Sequence, residues 1–132
     1  CFGAPFMPLH PTKYAEMLSD KVEQTGVNVW LINTGWNGKK ERMSLKDTRA
    51  VINAALSGDL SKGEFRKDPY FGFEVPVAIA DVASEQLNPA TSFDSTEAYE
   101  ANAKELADKF KANFKKFEEF ATADLLAGGP TI

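Results

Sequence analysis

The sequence predicts an α/β fold of about three helices and a few strands, with a sheet too small to be complete. Three observations carry that expectation. The chain reads in the order helix, strand, helix, short strand, long helix. Segment 27–33 (VNVWLIN) is short, β-branched and almost wholly apolar, as a strand covered on both faces should be. It is the one such run, and one buried strand is too little for a doubly wound sheet. The remaining strands are therefore expected from residues outside the chain, and 1–132 is read as one partial domain with no internal repeat, low-complexity tract or linker.

Each element has its local signals. His10-Pro11-Thr12 starts a helix, with Pro11 in the first turn, where its missing N–H costs nothing. Tyr14, Leu18 and Val22 follow at i+4 spacing with Met17 beside them, and Gly26 supplies the stop. The strand at 27–33 runs into the turn cluster Asn33-Thr34-Gly35-Trp36-Asn37-Gly38 and then Lys39-Lys40-Glu41-Arg42. Ser44 followed by Asp47 three residues later is a capping-box-like pair. It opens a helix whose Leu45, Thr48, Val51, Ile52, Ala55 and Leu56 share a face and which Gly58 closes. Phe71-Gly72-Phe73-Glu74-Val75, between Pro69 and Pro76, reads as β. From there to Phe93 the expectation is mostly loop with one short strand. Asp94 or Ser95 caps the last helix, in which Tyr99, Ala103, Leu106, Phe110, Phe114 and Phe117 recur every three or four positions. Gly128-Gly129-Pro130-Thr131-Ile132 reads as a frayed tail.

With 132 residues there is room for one domain. Fifteen Lys plus Arg against nineteen Asp plus Glu leave a net charge of −4, which argues against bulk electrostatic binding to nucleic acid or anionic lipid. No apolar run approaches the roughly 18 residues that cross a bilayer. A single cysteine forms neither an internal disulfide nor a multi-Cys zinc site, and a reducing compartment, the cytoplasm, is expected. The apolar opening Cys1-Phe2-Gly3-Ala4-Pro5-Phe6-Met7-Pro8-Leu9 leaves three explanations open: a processed end, a tucked-in terminus, or a piece of a longer chain.

Few residues offer chemistry. There is no G-x-x-x-x-G-K-S/T loop and no G-x-G-x-x-G fingerprint. The lone His10 is a helix-start residue and Cys1 has no evident partner, so no Cys–His pair is expected. Glu97, Glu100, Glu105, Asp108, Glu118 and Glu119 lie among lysines on a solvated face, and Phe110, Phe114 and Phe117 have core-facing spacing. The exception is 33–49, where a strand, a Gly-containing turn, the cationic Arg42 and a capped helix follow one another. Such junctions place backbone N–H groups, a positive helix end and an Arg where α/β proteins bind anions or nucleotides. A solvent-exposed connection with a routine cap is the competing reading.

The same residues resemble a known family. Asn33-Thr34-Gly35-Trp36-Asn37-Gly38, then Arg42-Met43-Ser44-Leu45-Lys46-Asp47-Thr48-Arg49, is similar to the N-T-G-W-N/S-G and K-R-[IM]-S-[IL]-K-[DY]-T-R stretches of ATP-dependent phosphoenolpyruvate carboxykinases. Cys1-Phe2-Gly3-Ala4, Leu9-His10-Pro11-Thr12, Asp68-Pro69 with Phe71-Gly72, Val75-Pro76 and Leu87-Asn88-Pro89 also resemble that family, in the family's order. Before Arg42 the family usually has a Gly and a final Lys, where this chain has Lys39-Lys40-Glu41.

The resemblance implies the C-terminal part of a mixed α/β nucleotide-binding domain. It implies an enzyme, a carboxy-lyase of gluconeogenesis, that turns oxaloacetate and ATP into phosphoenolpyruvate, CO₂ and ADP with Mg²⁺ and Mn²⁺. The phosphate loop, the metal ligands and the oxaloacetate-binding residues of the family lie upstream of the matched region. No catalytic residue and no metal ligand is therefore expected here, and the chain alone is expected to be inactive. What carries over is the nucleotide contact at Arg42, Met43 and Thr48. The alternative is a free-standing nucleotide-binding or protein-interaction module without carboxykinase activity. Self-association is expected through Phe2, Phe6 and 27–33, the surface that other strands would cover.

Overall fold

The computed structural model describes residues 3–132; the expectations on Cys1 and Phe2 lie outside them. Pro11 sits at the first position of α1 (Pro11–Thr25), and Gly26 ends it in the left-handed conformation (φ 64°), its N–H donating to the Val22 carbonyl at 2.8 Å. The expected apolar face is only partly used: Tyr14 and Val22 are half-buried, whereas Met17 and Leu18 are exposed. His10 ties this end of the helix to the far end of the chain, its ring 4.6 Å from Phe120 and 5.8 Å from Phe117.

The run 27–33 departs from expectation. It forms no strand, and Val27, Val29, Leu31 and Ile32 are all exposed. β-branched composition favours a strand only when a neighbouring strand supplies hydrogen bonds and a surface to lie on. Among the described residues no strand is laid beside it. What holds it is a few side chains: Trp30 stacks on Phe65 at 5.9 Å and Asn28 Nδ2 donates to Ser61 Oγ at 2.9 Å.

The next helix follows its signals closely. The Ser44 hydroxyl accepts from the Asp47 N–H at 3.0 Å at the start of α2 (Leu45–Ser57), and Gly58 at φ 78° closes it. Val51 is buried and forms the main core with Leu60 and Ile79, against which Trp30, Met43, Ala55, Val82 and Leu87 pack. Leu45 and Leu56 remain exposed.

The β region is a two-stranded antiparallel ribbon, β1 (Phe65–Lys67) against β2 (Glu74–Pro76), with Arg66 opposite Val75. Phe71, Gly72 and Phe73 belong to the turn between them rather than to a strand. Buried Asp68 shapes that turn: its carboxylate accepts from the N–H groups of Tyr70 (2.9 Å) and Phe71 (2.7 Å). The short strand expected between Pro76 and Phe93 is absent; two 3-10 turns, Ser84–Leu87 and Pro89–Ser92, occupy the stretch. Asn88 caps the second of them, its side-chain oxygen accepting from the Ala90 N–H at 3.3 Å. The short Asn-Pro caps and turns win over any strand propensity here.

Ser95 caps α3 (Thr96–Phe114), accepting from the Ala98 N–H at 3.1 Å. Its exposed side carries the Glu105–Lys109 pair, which holds the Glu105 carboxyl below its ordinary value, as a solvated face should. Its inner side buries Ala103 and Ala107. The helix tightens into a 3-10 turn, Lys115–Phe120, and α4 (Ala123–Ala127) follows. Contrary to the core-facing expectation, Phe110 is exposed and Phe114 and Phe117 are half-buried. They touch other aromatic rings, Phe110 meeting Phe71 edge-on at 5.9 Å. Phe110 and Phe114 line an open apolar groove of about 710 Å³ with Leu31, Phe73, Leu125 and Pro130. The tail is also not frayed: the Thr131 N–H donates to the Tyr70 carbonyl and its hydroxyl to the Pro69 carbonyl, both at 2.8 Å.

The result is an open α/β arrangement of four helices and one small sheet. No described helix is long and apolar enough to cross a membrane.

Candidate functional site

The segment singled out in the sequence, 33–49, folds as a tight hairpin leading straight into α2. Trp36 pairs antiparallel with Arg42, and the Met43 N–H donates to the Gly35 carbonyl at 3.0 Å. Asn33 starts it with an Asx turn, its side-chain oxygen accepting from the Gly35 N–H at 2.9 Å. Asn37 organises the tip. Its side-chain oxygen accepts from the N–H groups of Lys39 (3.0 Å) and Glu41 (2.9 Å), and its amide nitrogen donates to the Glu41 carboxylate at 3.1 Å. The departure Lys39-Lys40-Glu41 is accommodated by placing Lys40 at φ 61°, in the left-handed region that a glycine adopts without steric cost.

The three sequence-predicted residues are placed within one hairpin-to-helix junction, with different environments. Arg42 is exposed on the returning arm of the hairpin and makes no ion pair or side-chain hydrogen bond among the described residues. Met43 is half-buried and packs against the Val51–Leu60–Ile79 core, and its N–H is already spent on Gly35. Thr48, in the first turns of α2, is half-buried, its backbone N–H donating to the Ser44 carbonyl at 2.9 Å. Ser44 and Asp47 close the N-terminus of that helix on itself, the Ser44 hydroxyl also donating to Asp47 Oδ2 at 2.7 Å. A planar guanidinium, an apolar side chain anchored in a core and a hydroxyl on a helix suit the flat, polar-edged surface of a nucleobase.

Two residues that sequence reading missed complete the geometry. Asn37-Gly38 was legible as a turn, but the reach of Asn37 over five residues was not. Ser92, 54 positions from Gly38, accepts the Gly38 N–H at 3.0 Å, and no local signal announces a contact so distant. A polar recess of about 120 Å³ lies beside this contact, between the hairpin tip and Glu85, Asn88 and Thr91. Among the described residues no group of three or more His, Cys, Asp or Glu side chains is gathered that could hold a metal ion.

The junction and its surroundings are those of an α/β protein with an Arg-bearing loop presented at the start of a helix. Comparison with known proteins then fixes the family: residues 1–85 match the phosphoenolpyruvate carboxykinase family, and the chain belongs to it. It is 56% identical to the phosphoenolpyruvate carboxykinase (ATP) of Flavobacterium johnsoniae, with 98% of this chain and 25% of the relative covered. Identity is 50% to the enzyme of the same name from Christiangramia forsetii, over 98% of this chain and 25% of that relative. It is 46% to that of Rhizobium rhizogenes, over 100% of this chain and 25% of that relative. The chain thus spans about a quarter of the length of the curated relatives it matches.

Proposed function

We propose that this chain supplies the base-facing side of the ATP pocket in a cytoplasmic carboxykinase that converts oxaloacetate and ATP to phosphoenolpyruvate, CO₂ and ADP. The observation that supports the reading most directly is the exposed Arg42 guanidinium, unengaged among the described residues, on a hairpin braced by Asn37 and six positions ahead of Thr48. Arg42 stacks on or caps the nucleotide, Met43 forms an apolar wall stiffened by the core behind it, and the Thr48 hydroxyl addresses the base edge.

In the proposed reaction the C–C bond to the departing carboxylate breaks and CO₂ leaves. The electron pair becomes an enolate whose oxygen attacks the γ-phosphorus, with ADP as leaving group. Clamping that charge requires phosphate-binding groups and divalent cations, Mg²⁺ and Mn²⁺ in this reading. Among the described residues no group of three or more His, Cys, Asp or Glu side chains is gathered for such a cation, and no step here is assigned to one. The contribution of this chain is binding and orientation of the nucleotide, and alone it has no carboxykinase activity.

The test is a chimera in which these 132 residues replace the matching quarter of the Flavobacterium johnsoniae enzyme. Carboxykinase activity is expected, and Arg42→Ala should raise the KM for ATP about tenfold, the scale of a lost charged contact, with the KM for oxaloacetate unchanged. An unchanged KM for ATP overturns the assignment. We also propose that copies of the chain on its own self-associate through exposed apolar surface.

A further inference from the structure

The hairpin that carries Arg42 is held at two places, and the second is outside the junction. Locally, Asn37 ties the tip to itself through Lys39, Lys40 and Glu41. At long range the tip rests on the 3-10 turn Pro89–Ser92. The Gly38 N–H donates to Ser92 Oγ at 3.0 Å, while that hydroxyl donates to the Pro89 carbonyl at 2.7 Å. Ser92 is buried and both of its hydrogen-bonding roles are used. The approach is close: a Cβ on Gly38 would lie 2.6 Å from a Phe93 ring carbon and 2.8 Å from Ser92 Oγ. Only a residue without a side chain lets the tip settle onto this turn.

We infer that Ser92 is a positioning residue for Arg42: the clasp between the Gly38 N–H and the Ser92 hydroxyl sets the direction in which the hairpin presents its guanidinium. The inference deepens the nucleotide reading and rests on it for the choice of ligand. Arg42 lies on the arm that returns from the clasped tip, paired with Trp36. Releasing the tip leaves the hairpin closed by Asn37 and by the Met43–Gly35 bond but without its outside brace, free to tilt as a unit with Arg42 on it. The turn that carries Ser92 is itself fixed by the Asn88 cap and by the Thr91 hydroxyl, which donates to the Asn88 carbonyl at 2.7 Å.

The experiment has two readouts. In the 132-residue chain, ¹⁵N relaxation at residues 38–42 reports the order of the hairpin. In the chimeric enzyme described above, KM and kcat for ATP report the consequence. Ser92→Ala should increase fast motion at Gly38 and Arg42 while α2 stays as rigid as before. It should also raise the KM for ATP about three- to tenfold, the range of one lost hydrogen bond, with kcat little changed. Gly38→Ala, whose methyl would press on Phe93 and the Ser92 hydroxyl and lift the tip off this turn, should do the same, and Ser92→Thr, which keeps the hydroxyl, should restore both. Unchanged order at Arg42 in Ser92→Ala and Gly38→Ala overturns the inference, as does a fall in kcat matching that of the folded fraction. If Arg42→Ala leaves the KM for ATP untouched, the nucleotide reading fails, and the clasp is then decided by the relaxation data alone.

Discussion

The Trp30 indole lies over the Phe65 ring with centroids 5.9 Å apart and planes within 14° of parallel. This stack joins the irregular run 27–33 to β1, and behind it Trp30 packs on the core of Val51, Leu60 and Ile79. Trp30→Ala removes both contacts, and because the indole is half-buried the expected loss is about 2 kcal/mol, below the usual cost for a fully buried Trp. Urea unfolding followed by the remaining Trp36 measures it. A loss under about 0.5 kcal/mol would mean that the run is held elsewhere.

Where a signal is local, the sequence was enough to read it. Pro11 and Gly26 bound α1, Ser44 with Asp47 and Gly58 bound α2, and Ser95 starts α3, because caps and left-handed stops act within four residues. The turn and helix cap of the candidate segment were legible for the same reason, since Asn33 to Thr48 are neighbours in sequence. What could not be read depends on distant partners. Segment 27–33 has the composition of a strand but no strand to pair with among the described residues, and Phe110 has the spacing of a core residue but stays more than half exposed, its ring edge-on to Phe71. The docking of Thr131 on Pro69 spans 62 positions and uses an ordinary hydroxyl, so the tail looked free.

Lys40 at φ 61° should cost the hairpin stability. A side chain in the left-handed region is unfavourable by roughly 1–2 kcal/mol, part of which a glycine returns as greater freedom of the unfolded chain. Lys40→Gly is therefore expected to stabilise by about 0.5–1 kcal/mol and raise the Tm by about 2–4 °C. Scanning calorimetry of the two proteins decides it; a lower Tm in the glycine variant would show that the Lys40 side chain makes a contact worth more than the strain.

Alkaline pH should loosen the turn between the two strands. Tyr70 and Tyr99 meet edge-on at 5.7 Å. Burial raises the pKa of both above the ordinary tyrosine value. The Asp68 carboxylate adds to the effect at both, Glu100 adds at Tyr70, and Arg66 opposes it at Tyr99. A folded-state pKa above the unfolded one means the folded chain holds the proton more tightly. The associated stability is complete below the unfolded value of about 10 and is lost as pH rises through the raised folded values. The Tm should fall as pH rises above about 10, alongside tyrosinate absorbance at 295 nm, and Tyr99→Phe should reduce the fall. An equal fall in that variant would place the cause elsewhere.

Self-association is the expected outcome of how much surface the chain leaves uncovered. A compact monomer of 14.5 kDa exposes about 6,900 Å², whereas this chain exposes 10067 Å². The excess of about 3,200 Å² is more than one partner contributes to an obligate interface, roughly 1,000–2,500 Å². It is apolar where it matters: Phe6, Val27, Val29, Leu31, Phe73 and Phe110 are all more than half exposed. Leu31 joins the unpaired run to the groove, so a second copy that lays its own 27–33 segment alongside covers both at once. Sedimentation velocity should therefore show dimers or larger species that grow with concentration, and Val29→Lys with Leu31→Lys should shift them to monomer, since charges on an unpaired edge disfavour pairing. A wild-type chain that stays monomeric at high concentration and binds no hydrophobic dye would refute self-association, because apolar surface on this scale cannot remain in water without attracting either.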